Sequence, residues 1–179
     1  HSFELKGRYG FPLTSRTTGS IRLRGFSYLK NPDDFFYLDY AGGFSGMRSY
    51  PYFAIGGNTT AFSTFSWYFP LITGINEQMG RFSIDKSYIR LFAEAGNGWR
   101  GPYEIGNQLK TGIGAELRWS LNGYYLFPLK WFVSASYGFN QFNSNLPEDF
   151  ITPGTSNQVS YGQEMLFHFG FSFDFEILQ

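Results

Sequence analysis

The chain has 179 residues, with 14 basic and 14 acidic side chains and therefore no net charge near neutrality. That balance gives no electrostatic pull toward nucleic acid. The absence of cysteine excludes a disulfide framework and a thiol nucleophile, and only His1 and His168 could offer imidazole to a metal. Aromatic residues reach 22% while charged residues are only 16%, against about 25% in an ordinary soluble domain. No run of about 18 apolar residues is present from which a membrane-crossing helix could form.

Taken in order, the chain alternates. From 3 to 11, Phe3, Leu5, Gly7 and Tyr9 interleave with Glu4, Lys6 and Arg8, and a period of two belongs to a strand, whose successive side chains point to opposite faces. A Ser/Thr-rich loop follows. From 21 to 30, Ile21, Leu23 and Leu29 oppose Arg22, Arg24 and Lys30. Asn31-Pro32-Asp33-Asp34 reads as a tight turn, leading into a third strand over 35–41 and then a glycine-rich segment over 42–60. A fourth strand, 61–71, sets Phe65, Trp67 and Phe69 against Thr64, Ser66 and Tyr68, and a connection is expected over 72–86. Strand 87–97 carries Ile89, Leu91, Ala93 and Ala95 opposite Arg90, Phe92 and Glu94. Strand 109–119 alternates most cleanly, with Ile113, Ala115, Leu117 and Trp119 against Lys110, Gly112, Gly114, Glu116 and Arg118. An aromatic turn over 121–130, a strand over 131–140 and a long loop over 141–163 precede the last strand, 165–175. There Met165, Phe167, Phe169, Phe171, Phe173 and Phe175 oppose Leu166, His168, Gly170, Ser172 and Asp174.

Strands of about nine to eleven residues have the length that a tilted strand needs to cross a bilayer. Arg22, Arg24, Arg90, Glu94, Lys110, Glu116 and Arg118 all fall on one face of their strands. Arg or Lys turned toward lipid at the midplane costs roughly 2–4 kcal/mol each, and a dry sandwich core would cost more for unpaired charge. The expected fold is therefore all-β: an antiparallel transmembrane β-barrel with eight meander strands in this chain, charges in the lumen and the Phe, Leu, Ile and Ala face on lipid. Tyr88, Trp99, Trp119 and Trp131 near strand ends suit interfacial girdles. With eight strands, both termini are expected on the periplasmic side.

Four stretches narrow the reading. They are G-G-F-S-G-M-R-S-Y-P-Y-F-A-I-G-G-N over 42–58, Tyr68-Phe69-Pro70-Leu71, L-F-A-E-A-G-N-G-W over 91–99, and G-I-G-A-E-L-R-W over 112–119. Together these resemble the C-terminal barrel half of the bacterial surface antigen superfamily, which includes the outer-membrane assembly factors of Bam and Tam type, the two-partner secretion transporters and the chloroplast Toc channels. The resemblance runs from about 39 to 175; the first two strands match by pattern only. In that family the loop after the eleventh of about sixteen strands folds into the lumen. An Arg at its tip is held by an acid on the thirteenth strand, within an F-x-D-x-G motif. The resemblance implies that Met47-Arg48-Ser49-Tyr50 is the tip and Glu94, in Phe92-Ala93-Glu94-Ala95-Gly96, its partner. Ser49 stands where the family has Gly, and Ser66 where it has a second acid, which marks a divergent member. His168, Gly170, Phe173 and Phe175 match a barrel-assembly signal, with Glu176-Ile177-Leu178-Gln179 as a short tail.

Eight strands alone close round a lumen that side chains nearly fill, leaving no room for the segment 42–58. The chain, which opens at His1 without a signal-peptide pattern, is therefore read as an excerpt forming the last eight strands of a barrel of about sixteen, or as pairing with other strands to complete one; as a closed eight-stranded monomer it would have to hold 42–58 outside or over the mouth. By resemblance it takes part in inserting or translocating proteins at the outer membrane of a Gram-negative bacterium, with the first-to-last strand seam as a lateral gate. Its partners would be a lipid bilayer containing lipopolysaccharide, unfolded outer-membrane or secreted proteins, and upstream domains or further strands, but not nucleic acid. The alternative is a passive anchor or small-solute pore attached to another domain. No cofactor, metal or enzyme activity is expected: no G-x-S-x-G motif occurs, and Glu94 and Glu116 suit ion pairing with Arg48, Arg90 and Arg118 better than catalysis.

Overall fold

The computed structural model describes residues 1–29, 37–79, 82–103, 108–123, 127–145 and 158–173. Every regular strand-length element among them is β. The main sheet contains β1 (Ser2–Pro12), β2 (Thr18–Tyr28), β5 (Thr59–Met79), β6 (Phe82–Trp99), β7 (Lys110–Gly123), β8 (Phe127–Gly138) and β11 (Met165–Phe173). Each strand is antiparallel to the next, so the sheet is a seven-stranded meander. Two small ribbons lie outside it: β3 (Asp39–Tyr40) with β4 (Gly56–Gly57), and β9 (Phe142–Asn145) with β10 (Gln158–Tyr161).

Three expectations change. The strand predicted over 35–41 does not join the sheet, and residues 35 and 36 lie outside the described residues. Only Asp39 and Tyr40 are extended; they pair with Gly57 and Gly56, and β2 passes directly to β5. The cause is tertiary: the Asp39 carboxylate is drawn inward by Arg24 at 2.7 Å and by the Thr60 hydroxyl. The connection predicted over 72–86 is instead the continuation of two long strands, paired as far as Met79 with Phe82. Pro70 has no N–H for the ladder, and the register shifts just beyond it, between Pro70 and Ile72 and again between Thr73 and Glu77. The predicted turn over 121–130 likewise belongs largely to β7 and β8, which remain paired to Gly123 with Phe127.

The connections now sort by length. Residues 13–17, 80–81 and 124–126 link strands at one end of the sheet, and the long segments 29–58, 100–109 and 139–164 link them at the other. An odd strand count also overturns the expectation that both ends of the sheet lie on one side. β1 starts at the long-loop end, β11 ends at the short-turn end, and the two edge strands run parallel. Within the described residues β1 pairs only with β2 and β11 only with β8, so this sheet is not a closed barrel.

Its polarity is the reverse of a water-soluble sandwich. On one face Thr64, Ser66, Arg90, Glu94, Glu116, Ser134 and Ser136 are buried. On the other Leu23, Phe65, Leu91, Ile113 and Val133 are exposed, and on β11 Phe167, Phe169 and Phe171 are 73%, 81% and 65% exposed. The polar face is covered by the segment 41–58, whose Ala41, Met47, Tyr50, Ala54 and Ile55 pack with Phe62 into the one apolar cluster resolved among the described residues.

Candidate functional site: the inserted loop and its anchor

The loop holds its own shape before it meets the sheet. Met47 donates its amide to Ala41 O at 2.6 Å, and Gly43 donates to both Met47 O and Tyr50 O, at 3.0 and 2.9 Å. Gly43 sits at φ +86°, the left-handed region that glycine enters without a Cβ penalty. A Cβ at Gly46 would collide with the Ala41 carbonyl, so the tight turn before the tip also requires glycine.

Room for the loop is made by glycines on the sheet. A Cβ at Gly112 would collide with Ser49, and one at Gly138 would lie 2.8 Å from the Tyr50 ring and from Ser49 O. A Cβ at Gly96 would lie 2.8 Å from Met47 Sδ. The register places Glu94, Gly112 and Gly138 side by side across β6, β7 and β8. Ser49 therefore lies against bare backbone, with a carboxylate next to it.

At the tip, Arg48 Nη1 donates to Glu116 Oε2 on β7, and both side chains are buried. The Arg48 carbonyl accepts from Ser136 Oγ at 2.8 Å. Its guanidinium lies 4.1 Å from the centroid of Phe44, which stacks on Phe132 of β8 at 4.9 Å. Glu116 also receives Arg118 Nη2 at 3.0 Å and Arg90 Nη1 at 4.0 Å. Arg48 and Glu94 therefore do not form the expected ion pair. Glu94 accepts instead from Ser49 N at 3.2 Å and Ser49 Oγ at 3.1 Å. The physical reason is the serine, whose hydroxyl and amide both reach Glu94, while the longer Arg48 side chain extends to the next carboxylate on β7. Ser66, where an acid was sought, accepts from Arg90 Nε at 3.0 Å.

The remaining predicted residues distribute as follows. Tyr50 donates its hydroxyl to Thr111 O at 2.7 Å and accepts from Asn140 N at 3.2 Å; burial pushes its phenol above its ordinary value. Lys110 donates to Asn97 Oδ1 at 2.6 Å and lies over the Phe142 ring. Of the assembly-signal positions, His168 is opposite Ser134, Gly170 opposite Phe132 and Phe173 opposite Leu129. A Cβ at Gly170 would come within 2.9 Å of the Phe132 ring, so that glycine serves local packing. Phe175 lies outside the described residues.

Sequence reasoning did not single out Asp39, Thr111, Asn140, Phe44 or Gly138. A signal for part of this existed: a glycine inside a strand marks close backbone approach, and Gly112 and Gly114 fall on one face of the same strand. Among the described residues no three His, Cys, Asp or Glu side chains are grouped as metal ligands. The geometry is thus that of a fastened loop, with one buried acid gripping the tip arginine and a second gripping the tip backbone. Comparison with family models, with curated proteins and with solved structures finds no match for the chain.

Proposed function

We propose that the chain is an outer-membrane β-barrel region of surface-antigen type, taking part in the insertion or translocation of proteins at the outer membrane of a Gram-negative bacterium. The observation that carries this reading is the inverted polarity of the sheet, with a buried Arg48–Glu116 anchor under one face and bare phenylalanines on the other. Hydrocarbon accepts the second face without cost and penalises open edges, so the reading requires closure by further strands. Because β1 and β11 run parallel, closure by antiparallel pairs needs an odd number of them. Short connections at one end and long ones at the other agree with outer-membrane barrels. Counting back from β11 as the last strand of about sixteen, the anchored loop follows the eleventh and Glu94 sits on the thirteenth, as the resemblance implies.

Depletion of the parent protein tests the assembly role. The expected result is a fall in the folded fraction of other outer-membrane barrels, and unchanged levels would remove that role. A second reading, a passive anchor or small-solute pore, is favoured by Ser49 and Ser66 standing at positions the resemblance assigns to Gly and an acid. The coding sequence upstream separates the two: receptor repeats favour assembly, and an enzymatic domain favours the anchor.

A further inference from the structure

Near the β1 edge, the polar face carries a second basic group, apart from the Arg48–Glu116 anchor. In the β1–β2 register Arg8 is directly opposite Arg22, and Lys6 is directly opposite Arg24. Like charges in directly opposed cross-strand positions are destabilising. The Lys6–Arg24 pair is relieved by acids: Glu4 reaches Lys6 at 2.9 Å and Arg24 at 2.7 Å, and Asp39 reaches Arg24 at 2.7 Å. The Arg8–Arg22 pair has no such relief. Among the described residues neither guanidinium has a carboxylate within ion-pair distance.

Arg22 is nevertheless held in place. Its Nη2 donates to Gly46 O at 3.1 Å and to Thr64 Oγ1 at 3.4 Å, both neutral acceptors that orient the fork, while the buried Glu94 carboxylate acts on its charge only from beyond ion-pair distance. The two arginines border a recess of about 600 Å³ between the strands and the inserted loop, lined also by Lys6, Arg24, Asp39 and Phe62. That volume falls within the range of small-ligand sites. Arg8 also borders a neighbouring recess of about 410 Å³ with Arg16 and Tyr68.

We propose that Arg8 and Arg22 bind a phosphate group in this recess. Two guanidiniums with no acid paired to either match a dianion, Asp39 in the lining being engaged by Arg24, and their planar forks fit phosphate oxygens through paired charge-assisted hydrogen bonds. A monocarboxylate would leave one of the two charges uncompensated. The phosphate can belong to a soluble phosphorylated compound or to a lipid headgroup.

The test is calorimetric titration and thermal unfolding of the purified protein in non-ionic detergent, with inorganic phosphate in one arm and dihexanoyl phosphatidic acid in the other. Saturable binding of inorganic phosphate, with a rise in Tm, supports the site with a soluble source. Saturable binding of the short-chain lipid alone supports it with a lipid source. Either should weaken about tenfold or more in Arg8→Gln and in Arg22→Gln, the effect of losing a hydrogen bond to a charged group, and should be unchanged in Lys86→Gln. Arg8 is exposed, and its removal relieves repulsion, so Arg8→Gln should fold at least as well as the parent when phosphate is absent. No saturable binding in either arm, equal affinity for acetate, or binding that survives in the double variant would overturn the proposal. None of these outcomes depends on whether the protein acts in assembly or as an anchor.

Discussion

At the scale of single residues, the site turns on which carboxylate serves which donor. Glu116 is shared by Arg48, Arg90 and Arg118. Neutralising it leaves three guanidiniums facing each other in a place that excludes water. Glu116→Gln should cost about 3–5 kcal/mol, the range for breaking a buried pair from one side, measured as a lowered denaturant midpoint together with faster proteolysis within 41–58. Glu94→Gln should cost less, about 1 kcal/mol, because an amide oxygen can still accept from Ser49. The reverse order would restore Glu94 as the partner of Arg48. Tyr50 gives a pH dependence. Its folded-state pKa is raised above the ordinary 10.0 by burial, so the folded state holds this proton more tightly than the unfolded chain. The associated stability is present below pH about 10 and is lost as pH rises through the folded value. Alkaline unfolding of Tyr50→Phe should lack this component when the two melting curves are compared across pH. Alternation put Glu94 and Glu116 on one face, and the family resemblance implied that Arg48 meets that face. The sequence did not disclose the pairing, because that depends on how far a loop side chain reaches along the sheet.

Among the elements, strands were readable wherever alternation was strong, as in β7, where Glu116 and Arg118 interleave with Leu117 and Trp119. The misread third strand had the same period over Phe36, Leu38 and Tyr40, but its Asp39 has two partners on the inner face, and that tertiary demand prevails over a short pattern. The extension of β5 beyond Pro70 was hidden because proline and the register shifts interrupt the period. The loop's seat is the element-level feature with the sharpest test. Gly112→Ala places a methyl group against Ser49 with backbone on either side, so the loop tip must lift. Overpacking of this kind costs about 1–3 kcal/mol. Gly7→Ala on β1 meets nothing within 4 Å and should leave stability unchanged or slightly raised. The same unfolding and proteolysis assay reads both, and equal effects would mean that the loop does not rest on β7.

For the whole molecule, the inside-out distribution was the most legible property, since it needs only the assignment of each residue to a face. Closure was not legible, because counting seven strands or eight depends on the single short segment around Asp39. The distribution also yields a prediction that separates lipid from water as the surroundings of the outer face. Leu91 lies on the outer face of β6, 42% exposed, with Phe92 and Arg90 turned the other way. In hydrocarbon, Leu91→Lys brings an ammonium to the middle of the strand at a cost of about 2–4 kcal/mol. In water the same change, at a half-exposed site with room for a flexible side chain, lies within about 0.5 kcal/mol of neutral. Both quantities are accessible by denaturant titration of protein refolded into phosphatidylcholine vesicles, with Lys86→Gln, an exposed strand position, as the reference for a polar substitution that should be silent. A loss of the larger size supports lipid contact along β6. A change of half a kilocalorie or less would place the outer face in water and leave its row of phenylalanines as a surface for another protein.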